Sequence, residues 1–92
     1  MALGDVTISQ SGRAGSISYR EGVEEAVFQW EFGGSAVALI WGTKRIDWDV
    51  SHPWAAGRQA EVYNFVAKEV IRQKAPNSGF DIELESGTIT VL

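Results

Sequence analysis

His52–Ala75, HPWAAGRQAEVYNFVAKEVIRQKA, carries the one long helical period of the chain, and the segments on either side of it read as strands. Taking Tyr63 as origin and turning 100° per residue, Ala56, Ala60, Tyr63, Val66, Ala67, Val70 and Ile71 share one arc. Arg58, Glu61, Asn64, Lys68 and Arg72 lie opposite, the pattern of an amphipathic helix with one buried stripe. Pro53 suits a first turn and Ser51 or His52 the cap before it. Arg72 and Lys74 suit the negative end of the helix dipole. Pro76 blocks continuation and Asn77 to Gly79 form the turn. Gly57 is the weak point, costing about 1 kcal/mol against alanine. Because Ala56, Ala60 and Ala67 are small, the surface that covers this stripe must be bulky.

The N-terminal half supplies that bulk. Asp5 to Gln10 and Ser16 to Arg20 alternate in polarity, joined by turn residues from Ser11 to Gly15. Glu24 to Phe32 places Ala26, Phe28, Trp30 and Phe32 on one face. Gly33-Gly34 is the sharpest hairpin signal, and Ser35 to Trp41 returns with Val37, Leu39 and Trp41 on one side. A two-residue turn at Gly33-Gly34 pairs Trp30 with Val37, Phe28 with Leu39 and Ala26 with Trp41. A turn at Glu21-Gly22 sets Ile17 opposite Ala26, and a four-residue first loop sets Ile8 opposite Ile17. All these pairs fall on one apolar face. A bulge at Gly33–Ser35 would slip strand four by one residue and undo that agreement.

Gly42 to Val50 reads either as a short strand, with Ile46, Trp48 and Val50 alternating against Arg45, Asp47 and Asp49, or as an ordered connection. After the helix, Phe80, Ile82 and Leu84 alternate with Asp81, Glu83 and Glu85. A turn at Ser86-Gly87 then pairs Leu84 with Ile89 and Ile82 with Val91. The expected fold is therefore α+β: a four-stranded antiparallel meander, one long helix and a β-hairpin, the helix packed on one face of the sheet. The sequence leaves open where the hairpin joins.

Length and composition set outer bounds. The 92 residues suit a single domain, 1–92, whose core needs no disulfide or metal staple. Cysteine is absent, which removes thiolate chemistry. The net charge of −4 with dispersed basic residues argues against a nucleic-acid partner. No apolar run approaches a membrane span and the N-terminus lacks signal-peptide features, so a soluble, cytoplasmic protein is expected. No cofactor motif is present. Ser11–Ser16 resembles a phosphate-cradling loop only superficially, because a strand rather than a helix follows it.

Three places could carry function. Asp47, Asp49 and His52, beside Trp48 and Trp54, could hold a divalent ion or act as a base and its orienter. Against this, Asp49 or Ser51 can cap the helix, Trp48 and Trp54 can pack the core edge, and there is no second histidine. Phe65, flanked by Val62, projects among the charged residues of the helix, as an interface anchor would. The competing reading is that the 42–50 connection or Trp54 covers it. Finally, Val23, Val27, Ala36, Ala38 and Ile40 give the sheet face opposite the helix less polarity than a solvated face needs. The reading that follows is a non-enzymatic protein-interaction domain, partnered by another protein or by itself as a homodimer, through Val27, Ala36, Ala38 and Ile40 and through Val62 and Phe65. The alternative is a small-ligand or metal-binding, even hydrolytic, domain built on Asp47, Asp49 and His52.

Overall fold

A computed structural model describes residues 4–33 and 36–92. The chain runs β1 (Asp5–Ser11), β2 (Ala14–Glu21), β3 (Glu24–Gly33), β4 (Ala36–Trp41), α1 (Arg45–Ser51), a 3-10 turn (Pro53–Ala55), α2 (Gln59–Lys74), β5 (Phe80–Glu83) and β6 (Thr88–Val91). The fold is α+β, with a six-stranded antiparallel sheet in the order β1-β2-β3-β4-β6-β5. The C-terminal hairpin thus joins beside β4, which leaves β1 and β5 as the two edges.

Ile8 pairs with Ile17 as the sequence predicts. Between β2 and β3 the turn moves one residue on, so Tyr19, not Ile17, faces Ala26, and Ile17 faces Phe28. Between β5 and β6 the longer turn pairs Ile82 with Ile89 and leaves Leu84 outside the strand. Both shifts are even, so every side chain keeps its face.

The β3–β4 pairing is different. Trp30 faces Ile40 and Phe32 faces Ala38, with a register shift between Phe32 and Gly33. Gly34 and Ser35, on which the expected two-residue turn depends, lie outside the described residues. The shift is odd, and it turns strand four over. Ala38 and Ile40 become core residues at 7% and 1% exposure, while Val37, Leu39 and Trp41 face outward.

The single long helix is also corrected. Gly57 adopts φ +75°, a conformation that any other residue pays for with Cβ–carbonyl crowding, and the helical path breaks there. Pro53 opens the 3-10 turn instead of a long helix, and α2 begins at Gln59. Residues 45–51, whose alternation suggested a strand, form α1 with Trp48 as its one buried residue. At 100° per residue Trp48 lies opposite Ile46 and Val50, so the helix buries Trp48 and leaves those two in solvent.

Helix α2 lies on the inner face of the sheet, its Val62, Tyr63, Val66, Ala67 and Val70 sharing one core with Ile17, Tyr19, Phe28, Trp30, Ile40 and Ile89. Tyr63 meets the Phe28 ring edge-on at 5.1 Å and donates its hydroxyl to the carbonyls of Thr43 and Gly87; burial pushes its pKa up to about 12. Gln59, 6% exposed, donates to the carbonyls of Thr43 and Leu84, tying the start of α2 to both loops. At the far side, Trp30 Nε1 reaches across β2 to Ser9 O at 3.1 Å. It passes over Gly15, where a Cβ would fall 1.9 Å from that oxygen. The sheet therefore folds inward at β1.

Candidate functional site

The residues from α1 to the start of α2 form a tight corner. Trp48, 1% exposed, donates Nε1–H to Ala55 O at 2.9 Å. Asp49 Oδ1 accepts the N–H of Gly57 at 2.9 Å, so this carboxylate holds the break between the helices. His52 lies against Trp48, ring centres 4.2 Å apart, with Trp54 edge-on at 6.0 Å. Its Nδ1 is buried with no hydrogen-bond partner among the described residues. Desolvation holds the His52 pKa below its ordinary value, offset only in part by the nearby Trp48 carbonyl. Trp54 stacks on Tyr19 at 6.3 Å.

Asp47, Asp49 and His52 do not converge. Among the described residues no group of three or more His, Asp or Glu side chains is placed to hold a metal ion. A cleft of ≈ 320 Å³ between α1, α2 and the β5–β6 turn includes Trp48 and Asp49 but not Asp47, His52 or Trp54. The donors proposed from spacing are divided between a structural hydrogen bond, an aromatic stack and an exposed helix face.

The helix candidates shift as well. Val62 is fully buried, which removes it as a surface contact. Phe65 is half-buried and meets the Tyr19 ring edge-on at 5.6 Å, so it covers the core edge. With its start moved to Gln59, α2 rests on Gln59, Val62 and Val66, whereas Ala56 and Ala60 are exposed. The buried stripe is rotated toward Val62, which carries Phe65 to its margin. Nearby, Arg58 grips Glu21 with two nitrogens, at 3.2 and 2.5 Å. Glu21 also accepts from the Tyr19 hydroxyl. Hydrogen bonding by Arg58 and then Tyr19 lowers the Glu21 pKa, while burial, first, and Glu21 raise that of Tyr19 to about 12.

On the outer sheet face Val27 keeps its expected place, whereas Ala36, half-buried at the start of β4, turns to the inner side with Ala38 and Ile40, and their outward neighbours stand in their places. Val27, Val37, Leu39 and Trp41 are 51%, 44%, 42% and 37% exposed. Strand polarity alone did not find the last three. The signal for them was the Gly33-Gly34-Ser35 run, where a register slip can occur.

Pairing gives this face its layout. Leu39 lies between Glu31 of β3 and Thr90 of β6, with Asp81 of β5 beyond Thr90. Trp41 lies between Gln29 and Thr88, with Glu83 beyond Thr88. Among the described residues Glu31, Asp81 and Glu83 form no ion pair, whereas Arg20 and Glu25 pair with each other at 3.7 Å. Arg13 sits at one end, beside Glu31 and Leu39. The result is an apolar strip along an interior strand with carboxylates on both sides.

No family model, no curated protein and no solved structure matches the chain.

Proposed function

We propose that this chain is a protein-interaction domain whose contact surface is the outer face of its sheet, centred on β4. One observation carries the reading: Val37, Leu39 and Trp41 alternate outward along an interior strand, with Val27 beside them, and all four are between 37% and 51% exposed. An antiparallel sheet with one solvated face ordinarily shows polar residues there, and a contiguous apolar patch marks a contact site more often than isolated exposed residues do. Tryptophan, with its large rigid area, is enriched among residues that dominate binding energy. Self-association is one form that the reading can take.

The test is site-specific photo-crosslinking in the source cell. A benzophenone side chain at position 39 should give a discrete protein adduct that the same group at position 68, on the exposed side of α2, does not. Absence of adducts from position 39, or equal adducts from both, overturns the proposal.

A further inference from the structure

We infer that the occupant of the outer face is an amphipathic helix of a partner protein with basic residues along its flanks. This inference rests on the reading of that face as a contact surface. Glu31 on β3 and Asp81 on β5 stand on opposite sides of Leu39 with β4 and β6 between them. Three strand spacings separate them, about 14 Å, and an α-helix with side chains is about 10–12 Å wide. A helix whose axis lies between β4 and β6 would set its apolar stripe on Val37, Leu39 and Trp41, with Glu31 on one flank and Asp81 and Glu83 on the other.

Strand β4 has six residues, about 20 Å, which a helix of about 13 residues matches. Its flanking positions would carry lysine or arginine, because an acidic helix would set like charges against Glu31, Asp81 and Glu83 and a neutral one would leave them unpaired beside it. A second copy fits poorly. Face-to-face packing opposes two surfaces that each carry Asp5, Glu25, Glu31, Asp81 and Glu83 against Arg20, with Arg13 at the end, and like charges across an interface disfavour pairing.

The experiment uses three labelled 14-residue amphipathic peptides of Leu with Lys, Gln or Glu, titrated by fluorescence anisotropy. Binding of the Lys peptide should exceed that of the Gln peptide at least tenfold and weaken with salt. It should fall at least tenfold in Glu31→Lys/Asp81→Lys/Glu83→Lys. It should persist in Glu24→Lys/Asp47→Lys/Glu85→Lys, which changes net charge equally away from the face. Circular dichroism confirms that each variant folds. Equal binding of the Lys and Gln peptides, or equal loss in both triple variants, overturns the basic partner while leaving the surface in place. A wild-type dimer that Leu39→Asp dissociates assigns the face to a second copy and also overturns it. If no peptide binds, the inference fails, and crosslinking at position 39 decides separately whether the face binds anything.

Discussion

The two faces of β4 carry almost the same chemistry in opposite circumstances. Ala38 and Ile40 sit at 7% and 1% exposure beneath α2, whereas Leu39 and Trp41, alternating with them, keep 42% and 37% of their surface open. What separates the faces is therefore what lies over each one. On the inner side α2 contributes Val66, Ala67 and Val70 to the same core as Ile40. The outer side has flat strand neighbours, Thr88, Thr90, Gln29 and Glu31. The hydrophobic contribution follows area removed from water, about 25 cal/mol per Å², so equal residues on the two faces are unequal in stability. The outer face keeps its apolar area open to water.

The largest expected effect comes from breaking the inner face. Ile40→Ala should destabilise the fold by about 2–5 kcal/mol, through lost burial and the cavity left behind. For a chain of this size that is a fall in Tm on the order of 10 °C or more. Thermal unfolding by circular dichroism measures it. A change below about 1 kcal/mol would mean that the β3–β4 register is not the one described, since the alternative register puts residue 40 outside.

That register also marks where sequence reasoning reached its limit. Side-chain direction in a strand depends only on whether a slip is odd or even. The displacement at the β2–β3 turn is even, so Ile17, Ala26 and Phe28 keep the face that alternation gives them. At Gly33 the slip was odd. Alternating Val37, Leu39, Trp41 against Ala36, Ala38, Ile40 offers no polarity contrast to detect it, because both sets are apolar. The 42–50 segment, open in the sequence between a short strand and an ordered connection, is a different case. At 100° per residue Trp48 lies about 160° from both Ile46 and Val50, so the alternation favours a period of 2 and a helix can bury only one side of it. Only the structure reveals that Ile46 and Val50 are 84% and 85% exposed. The candidate site was legible as a location, the sheet face away from the helix, with Val27 correctly placed on it.

Next in size is Gly57→Ala. The backbone there has φ +75° and nothing within 4 Å of an added Cβ, so dihedral strain is the whole effect, about 1–2 kcal/mol. Urea denaturation gives the value. The substitution sharpens the comparison because it weakens the corner that seats α2 on the inner face without touching either face of β4. An unchanged midpoint would show that the break between helices tolerates a side chain.

His52 gives a smaller, pH-dependent effect. Its folded pKa is below the ordinary value of 6.5 because burial disfavours the imidazolium. The unfolded chain therefore binds more protons just below pH 6.5, and stability rises with pH in that range. The stabilisation from a neutral His52 is complete above about pH 6.5 and declines as pH falls toward the folded pKa. His52→Gln should flatten this part of the profile. Glu21 acts separately and at lower pH: its depressed pKa means that its contribution is lost only as pH falls below the ordinary carboxylate value. A midpoint-versus-pH series of both proteins in urea distinguishes the two, and identical slopes from pH 7 to 5.5 would remove His52 from the account.

The smallest expected change in stability is the most informative about function. Leu39→Ser, one residue from Ile40, should lower unfolding free energy by about 1 kcal/mol at most, because only about half of the leucine is covered. Half of Leu39 is already shielded by its strand neighbours, so the residual loss comes from that half and not from the core. The same substitution removes the centre of the apolar strip between Glu31 and Asp81, so peptide binding that depends on the face should fall sharply while Tm falls far less than in Ile40→Ala. A residue whose removal costs binding far more than stability is the signature of a contact surface. If Leu39→Ser instead lowers Tm as much as Ile40→Ala, then the outer face is covered within the chain itself, and its exposure offers nothing to a partner.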